Sequence, residues 1–189
     1  MYQNHLISRK TFIYGAFGAG CFIATSTLMP RVSKAQMDKI KMSMTALQAK
    51  TAKLGEPRIE GNDPVAGKNV PALYFGKTKM NNFFDVVDEV VKEHGGTATL
   101  FVKAADEYVR VATNVKKDDG SRAVGTILDP NGPVIAVINK GEAYWGDATI
   151  LGKPYVTGYD PIRDAASKVI GIYYVGFLKA KSCRRPTGA

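Results

Sequence analysis

Residues 141–177 read GEAYWGDATILGKPYVTGYDPIRDAASKVIGIYYVGF, and this stretch contains three runs typical of β-strands. The runs are rich in aromatic and β-branched side chains, which favour strands, and they cover residues 143–150, 154–159 and 169–177. Gly152 marks the turn after the first run, and residues 160–168 supply the turn before the last. Neighbouring strands joined by short turns predict an antiparallel arrangement.

Two more strand-like runs precede this stretch. They cover residues 97–102 and 108–114, and the short polar segment between them suits a hairpin. Asp118, Asp119 and Gly120 then mark a turn, and residues 133–140 have the length of one short helix. The sequence therefore predicts an antiparallel sheet of five strands with a helical insert after the second.

Two helices are predicted before the strands. The second has one apolar face and is closed by two glycines, Gly95 and Gly96; the face contains Met80, Phe83, Phe84, Val87, Val90 and Val91. The first has a stripe with the three- and four-residue spacing of a heptad seam, formed by Met37, Ile40, Met44, Leu47, Thr51 and Leu54. The stripe predicts a long helix that either packs on the domain or pairs with its copy in a dimer. Helices followed by strands indicate the α+β class.

The segment between the two helices shows little periodicity. Residues 55–57 are predicted to end the first helix, because they contain glycine and proline. Residues 58–70 contain Gly61, Pro64 and Gly67, and we predict a loop there. A short extended piece is predicted at residues 72–75.

Residues 1–35 are predicted to form an export signal. Arg9 and Lys10 form a basic region, an apolar stretch covers residues 12–24, and residues 33–35 offer a cleavage site of the small-residue type. Cleavage there makes Gln36 the first residue of the mature chain. The predicted location is periplasmic or otherwise extracytoplasmic.

The route of export has alternatives. Residues 8–13 resemble the twin-arginine motif, with Lys10 at the position of its second arginine. The apolar stretch, extended to Met29, also has the length of an uncleaved membrane anchor, and residues 18–21 faintly resemble a lipoprotein cleavage box. Removal of the signal leaves Cys183 as one cysteine in a basic tail, either a reactive thiolate or a thiol without a role.

The net charge of +9 is concentrated at the two ends of the chain. Eight of these nine charges come from basic residues in segments that contain no acid, namely Arg9, Lys10, Arg31, Lys34, Lys179, Lys181, Arg184 and Arg185. The body between Gln36 and Leu178 is therefore almost neutral. Such a body lacks the basic surface that binds phosphates, so we expect no nucleic-acid partner.

The residues needed for catalysis or metal binding are scarce. The two histidines are His5, in the predicted signal, and His94, at the end of the second helix. No cluster of histidine and cysteine has metal-ligand spacing, and the acidic pair at Asp118 and Asp119 reads as a turn rather than a calcium loop. We therefore predict a protein that is not an enzyme and has no catalytic residues, metal or cofactor.

A series of short sequence pieces, in a fixed order, points to a family. They are FV at 101–102, YVRVAT at 108–113, DGSRAVGT at 119–126, GEAYWG at 141–146, LGKPY at 151–155, YDPIRD at 159–164 and VIGIYYVG at 169–176. Together with residues 70–75 and 85–91, this series resembles the single Cache sensor domains of the Cache 3 and Cache 2 fusion type. The resemblance covers roughly residues 67–176.

The resemblance implies a PAS-like antiparallel sheet, with a long N-terminal helix across one face and a ligand pocket on the other. Such domains usually form the extracytoplasmic part of chemoreceptors and sensor kinases, where they bind small molecules, often short organic acids. Two departures from the pattern are expected: no transmembrane or signalling part is predicted after the domain, and Ser167 stands where the last hairpin often has glycine. We expect a signal at residues 1–35, a helix and loop at 36–66, a Cache-like sensor domain at 67–178 and a basic tail at 179–189.

Two arginines are candidate ligand anchors, because the planar guanidinium binds a carboxylate through two parallel hydrogen bonds. Arg110 interrupts an apolar strand, where alternation predicts that it shares a face with Tyr108 and Ala112. A charge there is either the ligand anchor or half of a structural salt bridge, with Asp160 as the proposed partner. Arg122 follows a turn and is either a helper in binding or a solvated side chain.

Three tyrosines are candidate hydroxyl donors to the ligand. Tyr144, Tyr155 and Tyr159 lie on the strands before and after Gly152, and the resemblance places this stretch around the pocket. The alternative for each is cross-strand packing. Thr113 and Thr126 are weaker candidates.

Two hypotheses for function follow. The first is an exported, solitary Cache domain that binds a short carboxylate as a sensor or binding module. It either passes its ligand state to a membrane receptor or sensor kinase, for example in chemotaxis, or acts as a buffer or scavenger. The second is a dimeric interaction or scaffold protein with a vestigial pocket, paired through the N-terminal helix. The second predicts that charged substitutions at Ile40 and Leu47 weaken a dimer.

Overall fold

The strand-rich second half of the chain forms one five-stranded antiparallel sheet, as predicted. The computed structural model describes residues 32–179, so the predicted signal up to residue 31 and the tail around Cys183 lie outside the described part. In chain order the elements are α1 (Lys34–Ala52), β1 (Pro57–Val65), β2 (Lys68–Phe75), β3 (Thr78–Lys79), α2 (Asp85–His94), β4 (Thr97–Ala104), β5 (Glu107–Thr113), α3 (Pro133–Asn139), β6 (Tyr144–Ile150), β7 (Lys153–Arg163) and β8 (Val169–Leu178).

The five-stranded sheet has the order β5-β4-β8-β7-β6 and separates two apolar cores. One core lies between the sheet and the helices α1 and α2, and we call it the helix-side core. The other contains residues of α3 and the preceding segment, such as Val134 and Leu128, and we call its side of the sheet the cavity face. Neighbouring residues of one strand point to opposite sides, so Tyr173 packs in the helix-side core and Tyr174 on the cavity face. The α+β class and the PAS-like arrangement are confirmed.

The helix α1 begins where Ser33 caps it. The Ser33 hydroxyl accepts a hydrogen bond from the backbone N–H of Gln36 at 3.2 Å, and the Gln36 side chain accepts one from the Ser33 N–H at 3.2 Å. The buried side of the helix carries the predicted stripe and consists of Ile40, Ser43, Met44, Leu47 and Thr51. This stripe packs on the protein's own sheet. No helix within residues 32–179 combines the length and apolar character needed to cross a membrane.

A close approach and two polar contacts hold α1 on the sheet. A Cβ atom on Gly158 of β7 would lie 2.6 Å from the Trp145 ring and 2.9 Å from Ile40, so glycine leaves the space that the helix occupies. Gln48 Nε2 donates to a carboxylate oxygen of Asp160 at 3.0 Å. One turn further along α1, Thr51 Oγ1 lies 3.2 Å from the Tyr173 hydroxyl. Gly158 and these contacts fix the helix across β7 and β8.

The prediction of a loop at residues 58–70 was wrong, because β1 and β2 form a hairpin there within a second, three-stranded sheet. The residues that indicated a loop have local roles in this hairpin. Gly67 lies in the turn with a φ of +81°, and Gly61 lies at a bulge with a φ of +68°. Pro64 lies on β1, an edge strand, where a missing N–H is tolerated.

The second helix is shorter than predicted. Its apolar pattern begins at Met80, but α2 begins at Asp85, because residues 80–84 form a turn. In that turn the Asn81 side chain accepts a hydrogen bond from the backbone of Leu73 at 3.0 Å. Met80, Phe83 and Phe84 therefore pack in the helix-side core without being helical, and the apolar pattern alone does not distinguish a helix from such a turn.

The last hairpin has longer strands than predicted. The strand β7 continues through Pro161 to Arg163, whereas the sequence predicted a turn from residue 160. The turn is confined to residues 164–168, and Ser167 there has a φ of +62°. This is the position where glycine was expected, since glycine adopts that conformation with least strain. Serine alters only the turn.

Candidate functional site

A β-bulge sets the direction of the Arg110 side chain on β5. Leu100 of β4 pairs with Ala112, and Phe101 pairs with Arg110, so Val111 is the extra residue. Arg110 lies on the cavity face with Tyr108, whereas Ala112 lies in the helix-side core. The expectation that Ala112 shares the face of Arg110 was wrong, because the bulge shifts the alternation by one residue.

The contacts of Arg110 are with neutral groups. Its Nη1 donates to Thr126 Oγ1 at 2.7 Å and to the carbonyl oxygen of Ile127 at 3.2 Å, and its guanidinium carbon lies 4.9 Å from the centroid of the Phe101 ring. A salt bridge to Asp160 was one predicted alternative, and it was wrong. Asp160 lies on the other face of the sheet, where it accepts from Gln48 at 3.0 Å.

One edge of the guanidinium has no partner. Within residues 32–179, no carboxylate forms an ion pair with Arg110, its Nε is buried without a hydrogen bond, and its Nη2 makes none. The Nε–H and one Nη2–H lie side by side, which is the pair of donors that a carboxylate accepts from. Burial lowers the pKa of Arg110, but an arginine keeps its charge in proteins. The side chain is 4% exposed, so this is a buried cation without an anion.

A cavity of about 280 Å³ lies beside Arg110. Its wall comes from β5, the segment before α3, the β6–β7 turn and β7. The lining residues are Arg110, Ile127, Leu128, Asp129, Gly132, Pro133, Val134, Ala148, Thr149, Ile150, Leu151, Gly152 and Tyr159. The volume is at the small end of ligand pockets, which run from about 300 to 1,000 Å³.

Tyr159 is the second predicted residue on this wall. Its ring centroid lies 4.9 Å from that of Tyr174, its cross-strand neighbour on β8. Burial raises the pKa of the Tyr159 hydroxyl well above its usual range, so the hydroxyl stays protonated at neutral pH. It makes no hydrogen bond to the described residues 32–179, and is therefore available to donate to a ligand. Tyr159 and Arg110 are thus brought to one cavity.

The other two tyrosines lie beside the cavity rather than on its wall. The Tyr144 hydroxyl donates to the carbonyl oxygen of Asp147 at 2.7 Å, and the Tyr144 ring packs on Tyr159 with centroids 6.2 Å apart. Tyr155 lies on the cavity face near Pro133, where it lines a separate, open depression. The position of Tyr144 supports the Tyr159 ring, and Tyr155 is not brought to Arg110.

Arg122 is directed away from the cavity. Its two terminal nitrogens donate to the two carboxylate oxygens of Asp88 on α2, at 2.8 and 2.7 Å, and Nη1 also donates to the carbonyl of Thr113 at 2.9 Å. The ion pair to Asp88 raises the pKa of Arg122, and the guanidinium lies over the Phe84 ring at 4.5 Å. Its donors are used to hold a loop to α2. Thr113, the weaker candidate, is occupied by a contact of 2.6 Å with Thr99.

A larger groove, of about 560 Å³, lies between β1 and the end of the last hairpin. Its charged residues are Arg58, Lys103, Asp164 and Lys168. Arg58 is committed to Glu60 at 2.6 Å, and Asp164 accepts from backbone N–H groups of its own turn. The groove is more open and contains no buried cation, so the Arg110 cavity is the better candidate site.

The sequence reasoning missed three residues of the site. Phe101 supports the Arg110 guanidinium, and Asp129 and Ile127 line the cavity. Asp129 starts the run DPNGP, which indicates a turn but gives no sign of what the turn faces. Within the described chain, no three or more His, Cys, Asp or Glu side chains are grouped to hold a metal ion.

Comparison with known proteins identifies a family. A family model described as the Cache 3/Cache 2 fusion domain matches residues 24–185. A search of curated proteins finds no match. The matched range includes every helix and strand of the fold described above.

Proposed function

The chain belongs to the Cache 3/Cache 2 fusion domain family, and from that premise we propose that it binds a short carboxylate in the Arg110 cavity. Domains of this family are typically extracytoplasmic sensor or ligand-binding modules that act with receptors or kinases. Binding, rather than catalysis, is therefore the function to be explained for this chain.

The observation that carries the proposal is the Nε of Arg110, which is buried without a hydrogen-bond partner among residues 32–179. The hydrogen bonds of the side chain to those residues come from Nη1, so Nη2 beside Nε completes an unpaired edge. Burial of a charge without a partner is costly, and one that persists in a cavity wall is explained when a ligand supplies the partner. A carboxylate fits this edge because its two oxygens accept two parallel hydrogen bonds. Thr126 and Ile127 already hold the opposite corner of the guanidinium at Nη1, so the free edge is fixed in direction.

Two further features support a short ligand. The protonated hydroxyl of Tyr159 is a second donor on the same wall. The cavity volume of about 280 Å³ leaves room for only a few carbon atoms beyond the carboxylate. We therefore assign Arg110 as the anchor and Tyr159 as its helper, with Tyr144 packed behind Tyr159. Arg122 and Tyr155 are not part of this assignment.

The proposal includes an exported protein whose ligand state is read by a membrane receptor or sensor kinase. Export rests on the sequence of residues 1–35, and fractionation of cells that produce the full chain tests it. The competing hypothesis, a dimer paired through the heptad stripe, requires the stripe to be exposed. The stripe residues Ile40 and Leu47 are buried in the protein's own core and are not free to meet a second copy.

The direct test is the melting temperature of the full chain against a panel of acetate, propionate, butyrate and lactate. We expect at least one acid to raise it in the wild type and none in Arg110→Ala, because a ligand that binds only the folded state stabilises that state. Arg122→Ala is the matched control, since it removes a guanidinium that binds Asp88 outside the cavity. Unchanged ligand-induced stabilisation in a folded Arg110→Ala protein contradicts the proposal.

A further inference from the structure

We propose that the ligand of this cavity is zwitterionic, a short carboxylic acid that also carries an amino group. Its carboxylate binds the free edge of Arg110, and its ammonium group binds the carboxylate of Asp129. The inference rests on the proposed function for the same cavity, and it narrows the class of ligand from carboxylates in general to amino acids.

The wall of the cavity carries one charge of each sign. Among the residues that line the cavity, two are charged, the cation Arg110 and the anion Asp129. The other lining residues are apolar or neutral. A ligand with one negative and one positive group can therefore match both charges of the wall, whereas a simple carboxylate matches one.

Asp129 is an exposed side chain on this wall, and within the protein it has little else to bind. Its Oδ1 accepts a hydrogen bond from the backbone N–H of Asn131 at 2.9 Å, within its own turn. No lysine, arginine or histidine forms an ion pair with it in the part of the chain that the structure describes, residues 32–179. Its second oxygen, Oδ2, accepts no hydrogen bond there and is free to accept one from an ammonium group, which is a strong donor.

Arg110 gives a reason to expect a ligand in this cavity that does not depend on Asp129. Its side chain is 4% exposed, and its Nε is buried without a partner. Asp129 then adds a preference for a ligand with a positive group, at a site that Arg110 already defines.

The charges of the wall also disfavour one class of ligand, the dicarboxylates. A dicarboxylate would place its second negative group in a cavity with no second cation and with Asp129 on the wall. Repulsion of like charges then weakens binding. Apolar side chains, including Ile127, Leu128 and Val134, leave space for a short hydrocarbon part. The wall thus selects small, mainly aliphatic amino acids.

The test compares matched pairs of probes that differ only in the amino group, with affinities measured by calorimetry on the full chain. The pairs are alanine with propionate, and 2-aminobutyrate or 4-aminobutyrate with butyrate; succinate is the dicarboxylate. We expect one amino compound to bind about two- to fivefold more tightly than its partner acid, the range of an ion pair in which one partner is exposed to solvent. In Asp129→Asn this ratio should fall to about one, while the affinity for the plain acid is unchanged or higher.

Asp119→Asn is the matched control. Asp119 accepts from the backbone N–H of Ser121 at 2.8 Å, the same local bond that Asp129 makes to Asn131, but Asp119 lies outside the cavity wall. The control should keep the preference for the amino compound. If it loses the preference as well, the effect in Asp129→Asn is not specific to the cavity and the inference fails.

The outcomes separate the two proposals. If plain acids bind through Arg110 and the amino compounds bind no better, the inference of a zwitterionic ligand is wrong and the proposed function stands. If an amino compound is preferred but Asp129→Asn keeps the preference, the assignment of Asp129 is wrong. If no probe binds the folded protein, the proposed function fails together with the inference.

Discussion

At the scale of single residues, the contacts of Arg110 fix its guanidinium, and our proposal assigns its charge to binding rather than to stability. Its Nη1 is held by Thr126 and Ile127, and its plane lies on Phe101, so the position of the side chain is fixed before any ligand arrives. A donor pair that needs no reordering loses little entropy on binding. The same burial leaves the folded protein with a cation that no acid neutralises within residues 32–179, which is the cost of this arrangement.

Asp160 gives a prediction about pH. Burial raises the pKa of its carboxyl in the folded state, against the smaller opposing effects of the Gln48 hydrogen bond and Arg163. The folded protein therefore takes up a proton at higher pH than the unfolded chain does. We expect the free energy of unfolding of the wild type, relative to Asp160→Asn, to rise as the pH is lowered from about 7 to about 4. Urea denaturation at several pH values measures it.

Asp119 is the control for this pH effect because its shift has the opposite sign. Hydrogen bonds from Ser121 lower the pKa of Asp119, so its contribution to stability is lost as the pH falls. The stability of the wild type relative to Asp119→Asn should therefore fall once the pH is lowered below about 4, where the unfolded carboxyl takes up its proton. A difference between wild type and Asp160→Asn that does not change with pH would contradict the assignment.

At the scale of elements, α1 has a buried side that contributes to folding and an exposed side that other molecules can reach. Leu47 is 0% exposed and lies in the helix-side core, whereas Met42 is 62% exposed on the same helix. The heptad spacing of the buried stripe is thus used for packing α1 on β7 and β8. Any contact of α1 with another molecule would use the side that carries Met42.

This division gives a prediction for two substitutions on α1. Leu47→Asp places a carboxylate in the core and should lower the free energy of unfolding by more than about 3 kcal/mol or prevent folding. Met42→Asp should change it by less than about 0.5 kcal/mol, because surface substitutions have small effects. Urea denaturation monitored by circular dichroism measures both. A folded Leu47→Asp protein that differs only in oligomeric state would show that α1 pairs with a copy instead.

At the scale of the whole molecule, the sheet separates α1 and α2 from the cavity, so the proposed ligand site and α1 lie on opposite sides of β7 and β8. Tyr159 and Tyr174 are cross-strand neighbours on the cavity face, and Asp160 and Tyr173 are the next pair on the helix face. The second pair contacts Gln48 and Thr51. Ligand stabilisation should therefore extend to the whole fold.

The size of that stabilisation can be predicted. A ligand present at a hundred times its dissociation constant stabilises the folded state by about 2.7 kcal/mol. For a domain of about 150 residues this corresponds to a rise of about 5–10 °C in melting temperature. Far-ultraviolet circular dichroism, which reports the helices and the sheet together, should give the same shift as the fluorescence of Trp145, which packs on the helix side. Different shifts from the two probes would mean that the two faces do not unfold together.

Most of the fold is predictable from sequence because strands and helices leave local patterns. The strands of the sheet follow from runs of aromatic and β-branched residues, and the stripe of α1 follows from its heptad spacing. The hairpin of β1 and β2 is not predictable in this way. Its Gly61, Pro64 and Gly67 are typical of a loop, and only pairing between the two strands gives these residues a place in a sheet.

For the candidate site as well, part is predictable from the sequence and part depends on the tertiary structure. From the sequence, Arg110 is predicted to be either paired or functional, since it is a charge in an apolar strand. Only the tertiary structure decided that this partner is not Asp160, that Arg122 belongs to Asp88, and that Asp129 faces the cavity. The physical reason is that periodicity reports the local face of an element, whereas a bulge, a loop path and the crossing of strands decide which distant groups meet.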